Sequence, residues 1–303
     1  MKKVASKYAS VSAHYDAAAD ISRDQYDTRA LRNPALTYPA NYFRLKLLTE
    51  SFKRQKVRRV LEVGVGEGTP LIALSKEGMD VMGFDVARNM VEISKENLRK
   101  AGMDPNRIFL ADIQNKRSYM KHLKASEKFD GLMAMGVMPH VENDAEVIQN
   151  MAALVRPGGS VFIEFRNILF SLFTQNRYTA DFILNELLAG VNPKIKKIVA
   201  KDLNLRLRMG QPRMRTSLKR SKAPGYDAIL SKFHNPFKVP ELFKRAGFTD
   251  LKFLWYHYHP AMPYLRGKNP KLFRSEAVTL EGEKSGWRGY FLCSAFVVEA
   301  RKK

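Results

Sequence analysis

The stretch Val60-Leu61-Glu62-Val63-Gly64-Val65-Gly66-Glu67-Gly68 decides the fold of this chain. A short run of apolar residues with one acid leads into three glycines at alternate positions, which let the backbone turn tightly and approach a ligand closely. Thr69 then suits the N-cap of a helix, and Pro70 suits its first turn. Because the first N–H groups of a helix are free to bind a ligand, the stretch predicts a strand, a turn and a helix that hold a nucleoside-containing cofactor.

Two common glycine-rich turns differ from this one in their spacing. The dinucleotide-binding turn G-x-G-x-x-G requires glycine at position 69, where this chain has Thr69. A phosphate-binding P-loop requires a lysine after its last glycine, and no lysine follows Gly68 directly. The stretch therefore points to a third class of nucleoside-binding turn.

Strand-like and helix-like segments alternate along the rest of the chain. The run 80–84 predicts a second strand and ends at Asp85, nineteen residues after Gly66, where an acid can accept the hydroxyl groups of a ribose. The run 88–101 has apolar residues at helical spacing. Further strands are predicted at 107–110, 129–134, 160–165, 252–257 and 289–300, and helices at 144–155, 178–188 and 239–246. This alternation indicates a mostly parallel sheet with helices on both faces.

The order of these motifs resembles that of the class I methyltransferases that use S-adenosylmethionine (AdoMet), closely over residues 41–166 and loosely over residues 236–300. The resemblance implies an α/β fold with a Rossmann-like, seven-stranded, mostly parallel sheet whose last strand is antiparallel. We expect an AdoMet-binding core at 41–166 and 236–303, an N-terminal cap segment at 1–40, and a mainly helical lid insertion at 167–235 that carries substrate specificity.

The resemblance also implies which residues bind the cofactor. The glycines and Glu62 are expected at the methionine side, Asp85 at the ribose, and Asp112 near the adenine, although a helix-capping role would also explain Asp112. Tyr15 is expected beside the sulfonium, where an aromatic ring gains cation–π attraction, although a packing role fits it equally. The full set of expected cofactor residues is Tyr15, Glu62, Gly64, Gly66, Gly68, Asp85, Val86, Asp112, Ile113, Met135 and Gly136.

His140 is the candidate catalytic residue. It ends the run 136–140, directly after the fourth predicted strand, where the resemblance implies that the transferred methyl group emerges. An alcohol acceptor needs a general base, and the ordinary pKa of histidine suits that role. Similar methyltransferases also carry a histidine here that is not a base, and an amine acceptor needs only desolvation and orientation. The residues expected to contact the acceptor are Arg166, Asn167, Tyr178, His257 and His259.

The charge of the chain is concentrated in one segment. The 303 residues carry a formal net charge of +22, and residues 191–222 contain eleven Lys or Arg and one acid. Such a segment suits nucleic acid, anionic lipid or a phosphorylated substrate, and it equally suits a solvated surface. It leaves the class of acceptor open.

Composition excludes several other classes of protein. Hydrophobic residues make up 45% of the chain, which is enough for a packed core. The apolar runs are too short to span a bilayer, and the N-terminus lacks the apolar region of a signal peptide. The single cysteine, Cys293, is expected to be a buried core residue, and no Cys/His cluster has zinc spacing, so no metal is expected. We therefore expect a cytoplasmic enzyme.

Three functions follow from these observations. The first is an AdoMet-dependent methyltransferase that acts on a small molecule such as a sugar, a nucleotide-linked sugar or a natural-product intermediate, with an anionic acceptor and a hydroxyl favoured over an amine. The second is an RNA or protein methyltransferase that docks through the basic segment, although no amino-methylating N-P-P-Y or D-P-P-Y motif follows the fourth strand. The third is a non-catalytic AdoMet-binding subunit of a larger complex.

Overall fold

The fold is built on one seven-stranded sheet. The structure, a computed structural model, describes residues 10–17, 23–123, 128–207, 215–217 and 223–303; parts of the expected cap segment and of the basic segment lie outside these ranges. The strands are β1 (Arg59–Val63), β2 (Asp80–Asp85), β3 (Ile108–Leu110), β4 (Phe129–Ala134), β5 (Val155–Arg166), β6 (Phe248–Tyr258) and β7 (Cys293–Lys302).

The strand order is β3-β2-β1-β4-β5-β7-β6. The strands β1 to β5 pair in parallel, and β7 pairs antiparallel with both β5 and β6. This arrangement confirms the predicted sheet with an antiparallel last strand. Because the chain leaves β1 toward β2 on one side and returns to β4 on the other, a crevice opens at the carboxyl ends of β1 and β4, where ligands bind in such sheets.

Helices cover both faces of the sheet. The described residues form α1 (Val11–Ala17), α2 (Ala40–Arg54), α3 (Thr69–Lys76), α4 (Arg88–Lys100), α5 (Lys116–Met120), α6 (Asp144–Leu154), α7 (Ser171–Thr174), α8 (Arg177–Phe182), α9 (Pro193–Arg206), α10 (Val239–Arg245), α11 (Pro270–Leu280) and α12 (Gly289–Leu292). Side chains alternate across the sheet, so Leu61 packs into the core on one face and Val60 into the core on the other. None of the helices in these described ranges is long and apolar enough to cross a membrane.

Two predicted elements differ in type from the observed ones over part of their length. The predicted strand 289–300 begins instead as helix α12, and β7 starts only at Cys293, which is buried as expected. A Cβ atom on Gly289 would lie 2.1 Å from Cγ of Trp255, so glycine permits a close approach of α12 to β6 that a strand pattern does not reveal. The predicted helix 178–188 is split into α8 and a π-helical turn, Ile183–Leu187.

Candidate active site

A cavity of about 1710 Å³ opens at the carboxyl ends of β1, β2, β4 and β5. Ligand pockets commonly measure ~300–1000 Å³, so this cavity has room for a cofactor and an acceptor together. The predicted site residues that line it are Tyr15, Glu62, Gly64, Gly66, Asp85, Val86, Asp112, Ile113, Met135, Gly136, His140, Arg166, Asn167, Tyr178 and His257. Two predicted residues, Gly68 and His259, are not part of its lining.

The turn after β1 is held by an aspartate from β2. Gly64 and Gly66 adopt φ angles of 78° and 56°, which only glycine accepts without strain. The backbone N–H groups of Gly66 and Ala87 each donate to a different carboxylate oxygen of Asp85, both at 2.9 Å. Burial raises the pKa of Asp85. Each oxygen keeps a further lone pair for a ligand.

Gly68 serves packing rather than the cavity. It is the N-cap of α3 with a φ angle of 88°, and Thr69, which was predicted as the N-cap, is already the first helical residue. A Cβ atom at Gly68 would lie 3.2 Å from Cβ of Ser94 and 3.3 Å from Cδ1 of Leu98 on α4. Glycine is therefore needed here because α3 starts close against α4. Gly68 is not among the residues that line the cavity, and its expected role in cofactor binding stays a prediction.

One wall of the cavity is formed by the ends of β2 and β3. Val86 follows β2 and is 43% exposed, which is unusual for valine next to a core strand, whereas Ile113 is buried. The side chain of Asp112 accepts the backbone N–H of Gln114 at 2.9 Å, so this carboxylate does cap a turn. Its second oxygen is not used in that bond.

Helix α1 covers part of the cavity and contributes to its lining. Asp16 accepts the backbone N–H of Asn89 at 2.8 Å, which ties α1 to the start of α4. The Nδ1–H of His14 donates to the carbonyl oxygen of Pro224 at 2.7 Å. These two bonds place Tyr15, between His14 and Asp16, over the cavity.

His140 has both ring nitrogens engaged. Its Nδ1 lies 2.6 Å from the carbonyl oxygen of Leu230 and its Nε2 lies 2.9 Å from the hydroxyl of Tyr15. A carbonyl only accepts hydrogen bonds, so Nδ1 carries the proton and Nε2 accepts from the Tyr15 hydroxyl. Burial lowers the pKa of His140 to about 4 and raises the pKa of Tyr15 to about 12. Near neutral pH, His140 is therefore uncharged, with Nε2 as a proton acceptor.

A tyrosine that the sequence analysis did not identify, Tyr226, lies beside His140, with 5.9 Å between their ring centroids. Tyr226 lies in a single 3-10 turn, and the guanidinium carbons of Arg166 and Arg215 lie 4.4 and 4.7 Å from its ring centroid. Arg166 also donates to Oγ of Ser231 at 2.6 Å. The only sequence signal for Tyr226 is the short motif Pro224-Gly225-Tyr226, directly after the basic segment 191–222.

Asn167 and Tyr178 have local partners. The amide nitrogen of Asn167 donates to the carbonyls of Tyr290 and Cys293 at 2.7 and 2.9 Å, and its side-chain oxygen accepts the N–H of Leu169. Asn167 thus fixes the end of β5, and its expected contact with an acceptor has no free donor to support it. The hydroxyl of Tyr178 accepts from Arg177 at 2.7 Å, and both line the cavity.

The two histidines predicted at the end of β6 have different environments. Their ring centroids lie 4.8 Å apart, but His257 is still within β6, with a φ angle of 59°, whereas His259 follows the strand. His257 lines the cavity, bonds Oγ of Ser294 through Nδ1 at 2.8 Å, and has its pKa lowered to about 4 by burial. His259 packs against Phe170 at 4.6 Å between centroids instead.

A buried ion pair at the base of the cavity was also missed. Nη1 of Arg44 on α2 lies 2.6 Å from Oε2 of Glu164 on β5, and the hydroxyl of Tyr256 on β6 donates to Oε1 of Glu164 at 2.7 Å. Glu62 lies nearby, and burial raises its pKa well above the usual value. The one available signal was Glu164 itself, a charge within an otherwise apolar strand.

Comparisons with known proteins agree with the fold. Residues 37–261 match a family model described as "Methyltransferase domain". Ubiquinone biosynthesis O-methyltransferase from Coxiella burnetii (strain Dugway 5J108-111) is 26% identical over 174 residues, which cover 57% of this chain and 70% of the relative. The enzyme of the same name from Paracidovorax citrulli (strain AAC00-1) is 30% identical over 148 residues, 48% of this chain and 59% of the relative.

One solved structure supports the same architecture. An S-adenosylmethionine-dependent methyltransferase from Clostridium acetobutylicum ATCC 824 superposes with a TM-score of 0.51 at 9% identity, and the match covers 86% of this chain and 91% of that one.

Among the residues described here, no group of His, Cys, Asp or Glu side chains could hold a metal ion.

Proposed function

The chain belongs to the methyltransferase-domain family and is an S-adenosylmethionine-dependent methyltransferase, and on this premise we propose that it methylates a hydroxyl group of a small molecule. One observation carries the choice of oxygen: the uncharged His140 presents Nε2, an atom able to take a proton, at the cavity. Both curated relatives are named O-methyltransferases, which supports an oxygen acceptor. A sugar, a nucleotide-linked sugar or a natural-product intermediate would suit the cavity.

The residues around the glycine turn fit AdoMet. Oε2 of Glu62 is buried and has no hydrogen-bond partner among the described residues, so a ligand ammonium group would satisfy it. Asp85 would accept the ribose hydroxyls, and the exposed Val86 with Ile113 would hold the adenine between apolar surfaces. Met135 and Gly136 would lie near the methionine end, and Asp112 near the adenine amino group.

When bound, AdoMet supplies an electrophilic methyl group that an acceptor oxygen attacks in line. The contribution of His140 is to receive the proton of that oxygen at Nε2, while Leu230 keeps the proton of the imidazole on Nδ1. A pKa of about 4 is sufficient, because the acceptor hydroxyl becomes far more acidic as its new bond to carbon forms. Tyr15 would either relay the proton or give up its place to the acceptor hydroxyl.

Two segments outside the core would cover the reacting groups. We propose that residues 1–40 form a cap and residues 167–235 form a lid, which keep water from the methyl group. The support is the hydrogen bond between His14 and Pro224, which joins the two segments over the cavity. Both segments also contribute to its lining, through Tyr15 and Tyr226 respectively.

The test uses AdoMet with a radiolabelled methyl group. The protein is incubated with host extract, with or without nuclease, and label is counted in small-molecule, lipid, RNA and protein fractions. Asp85→Ala serves as the inactive variant, and Asp202→Ala, an exposed aspartate on α9 that does not line the cavity, serves as its matched control. Asp85-dependent label in the small-molecule fraction supports the proposal. Nuclease-sensitive label in RNA, or label in protein, would instead support docking through the basic segment.

A further inference from the structure

Arg166 is a partly buried cation with few protein partners. It is the last residue of β5 and lines the cavity beside Tyr226. A guanidinium has five N–H donors, and among the described residues only Oγ of Ser231 accepts one of them, at 2.6 Å. Burial lowers the pKa of Arg166, which means that its charge is held at an energetic cost.

The neighbouring charges are already matched with one another. Arg44 is paired with Glu164. Arg215 is paired with Asp227, whose side chain accepts both the backbone N–H and the Nε–H of that arginine at 2.7 and 3.2 Å. No carboxylate of the described residues lies within ion-pair distance of Arg166. Glu164, which favours the charge of Arg166, is already paired with Arg44, and Arg166 therefore has no ion-pair partner of its own among the described residues.

Tyr226 adds a second unsatisfied group at the same place. Its hydroxyl is buried and has no hydrogen-bond partner among the residues that the structure describes. Its ring lies 4.4 Å from the guanidinium carbon of Arg166, a cation–π contact that supports the arginine but provides no acceptor for its N–H groups. A guanidinium that uses one of its N–H donors and a phenol hydroxyl without a partner among the described residues suit a ligand that accepts hydrogen bonds and carries negative charge.

We propose that Arg166, with Tyr226 and Ser231, is the subsite that binds an oxyanion of the acceptor molecule, a carboxylate or a phosphate monoester. This inference rests on the proposed function and adds the class of acceptor to it. Planar guanidinium groups bind such oxyanions through two parallel N–H bonds. The subsite would fix the acceptor by its anionic end, and the remaining part of the molecule would present its hydroxyl to His140, which lines the same cavity.

The test measures binding of three probes that differ in charge. Benzoate, phenyl phosphate and the neutral benzamide are titrated by calorimetry into the protein saturated with S-adenosylhomocysteine. The variant is Arg166→Gln. Its matched control is Arg156→Gln, which removes an arginine from the other end of β5, where it is exposed and paired with Asp130.

We expect at least one of the anions to bind the unmodified protein about 10- to 100-fold more tightly than benzamide, as charged hydrogen bonds allow. Arg166→Gln should bring this ratio to within about twofold, and Arg156→Gln should leave it unchanged. The anion that binds more tightly distinguishes carboxylate from phosphate. An unmodified protein without preference for either anion, or an Arg166→Gln variant that keeps the preference, would overturn the inference.

A separate readout distinguishes this inference from the proposed function. Affinity for S-adenosylhomocysteine is measured for every variant, and we expect it to stay within about twofold of the unmodified protein. Failure of the unmodified protein to bind S-adenosylhomocysteine would overturn the proposed function and the inference with it. Normal affinity together with indifference to the anions would overturn the oxyanion subsite alone.

Discussion

Replacing Gly64 with alanine should damage both the stability of the fold and the binding of the cofactor. The φ angle of 78° at this position lies in the left-handed region, which costs an L-residue ~1–2 kcal/mol. The new Cβ atom would also lie 2.6 Å from Cγ2 of Val137, and overpacking of this kind costs ~1–3 kcal/mol. The two effects together predict a loss of ~2–5 kcal/mol in the free energy of unfolding.

Gly102→Ala is the matched control for this change. Gly102 has a φ angle of 74°, nearly that of Gly64, but a Cβ atom there would meet nothing within 4 Å. Only the backbone cost of ~1–2 kcal/mol should remain, so the difference between the two variants isolates the contact with Val137. Urea denaturation measures both losses. Calorimetry with S-adenosylhomocysteine should show about tenfold weaker binding, or ~1.4 kcal/mol, for Gly64→Ala alone, because the substitution displaces a turn that lines the cavity.

The double variant Gly64→Ala/Val137→Ala tests the reasoning itself. Removing the methyl groups of Val137 should restore the steric part of the loss, which a double-mutant cycle reports as a coupling energy of ~1–3 kcal/mol. Equal stability of Gly64→Ala and Gly102→Ala would refute the steric argument. A coupling energy near zero would show that this turn does not contact Val137 tightly. Unchanged affinity of Gly64→Ala for S-adenosylhomocysteine would show that this turn does not bind the cofactor.

Three further predictions concern titratable groups in the cavity. His140→Gln should lower kcat by about 100-fold or more, as expected for a lost general base, with unchanged affinity for S-adenosylhomocysteine. In the unmodified enzyme, kcat should be constant from about pH 8 to 5 and fall only as His140 becomes protonated near its pKa of about 4. A fall centred near pH 6.5 would contradict the assignment of His140 as the base. The pKa of His257 is also about 4 in the folded protein and ~6.5 in the unfolded protein, so the unfolded state binds more protons between these values. The stability present above pH ~6.5 is therefore lost as the pH falls. Urea denaturation at pH 7 and 4.5 should show that the stability lost between these two pH values is smaller in His257→Gln, by up to ~3 kcal/mol. Arg44→Met should destabilise the fold by ~3–5 kcal/mol because it leaves the buried Glu164 without its ion-pair partner. Thermal unfolding should show partial recovery when Glu164→Gln is added.

Local sequence was sufficient to predict that the turn after β1 and Asp85 lie together, and both line the cavity. The glycine turn and Asp85 are separated by nineteen residues and belong to consecutive strands, so their order along the chain reflects their positions in space. The spacing did not show the packing of Gly68, whose neighbours belong to α4. Position in a motif identifies where a glycine lies, but the packing of adjacent helices decides what it contacts.

The long-range contacts of Glu164 and Arg166 could not be predicted in the same way. Arg44, Glu164 and Tyr256 come from α2, β5 and β6, separated by 120 and 92 residues, and no short motif links them. Tyr226 follows a segment of more than fifty residues after β5, and only the folded chain brings it against Arg166. Contacts of this kind depend on how distant elements pack, which a single sequence does not encode in its local pattern.

Transfer of a ¹³C-labelled methyl group tests the central claim most directly. AdoMet labelled at this carbon is incubated with the protein and the dialysable fraction of host extract, and the product is examined by two-dimensional carbon–proton NMR. We predict a new signal at the shift of a methoxy carbon, correlated with an oxygen-bearing carbon of a small molecule, and no such signal with Asp85→Ala. A labelled methyl group on nitrogen, or label transferred only to macromolecules in the undialysed extract, would contradict the proposed O-methylation of a small molecule.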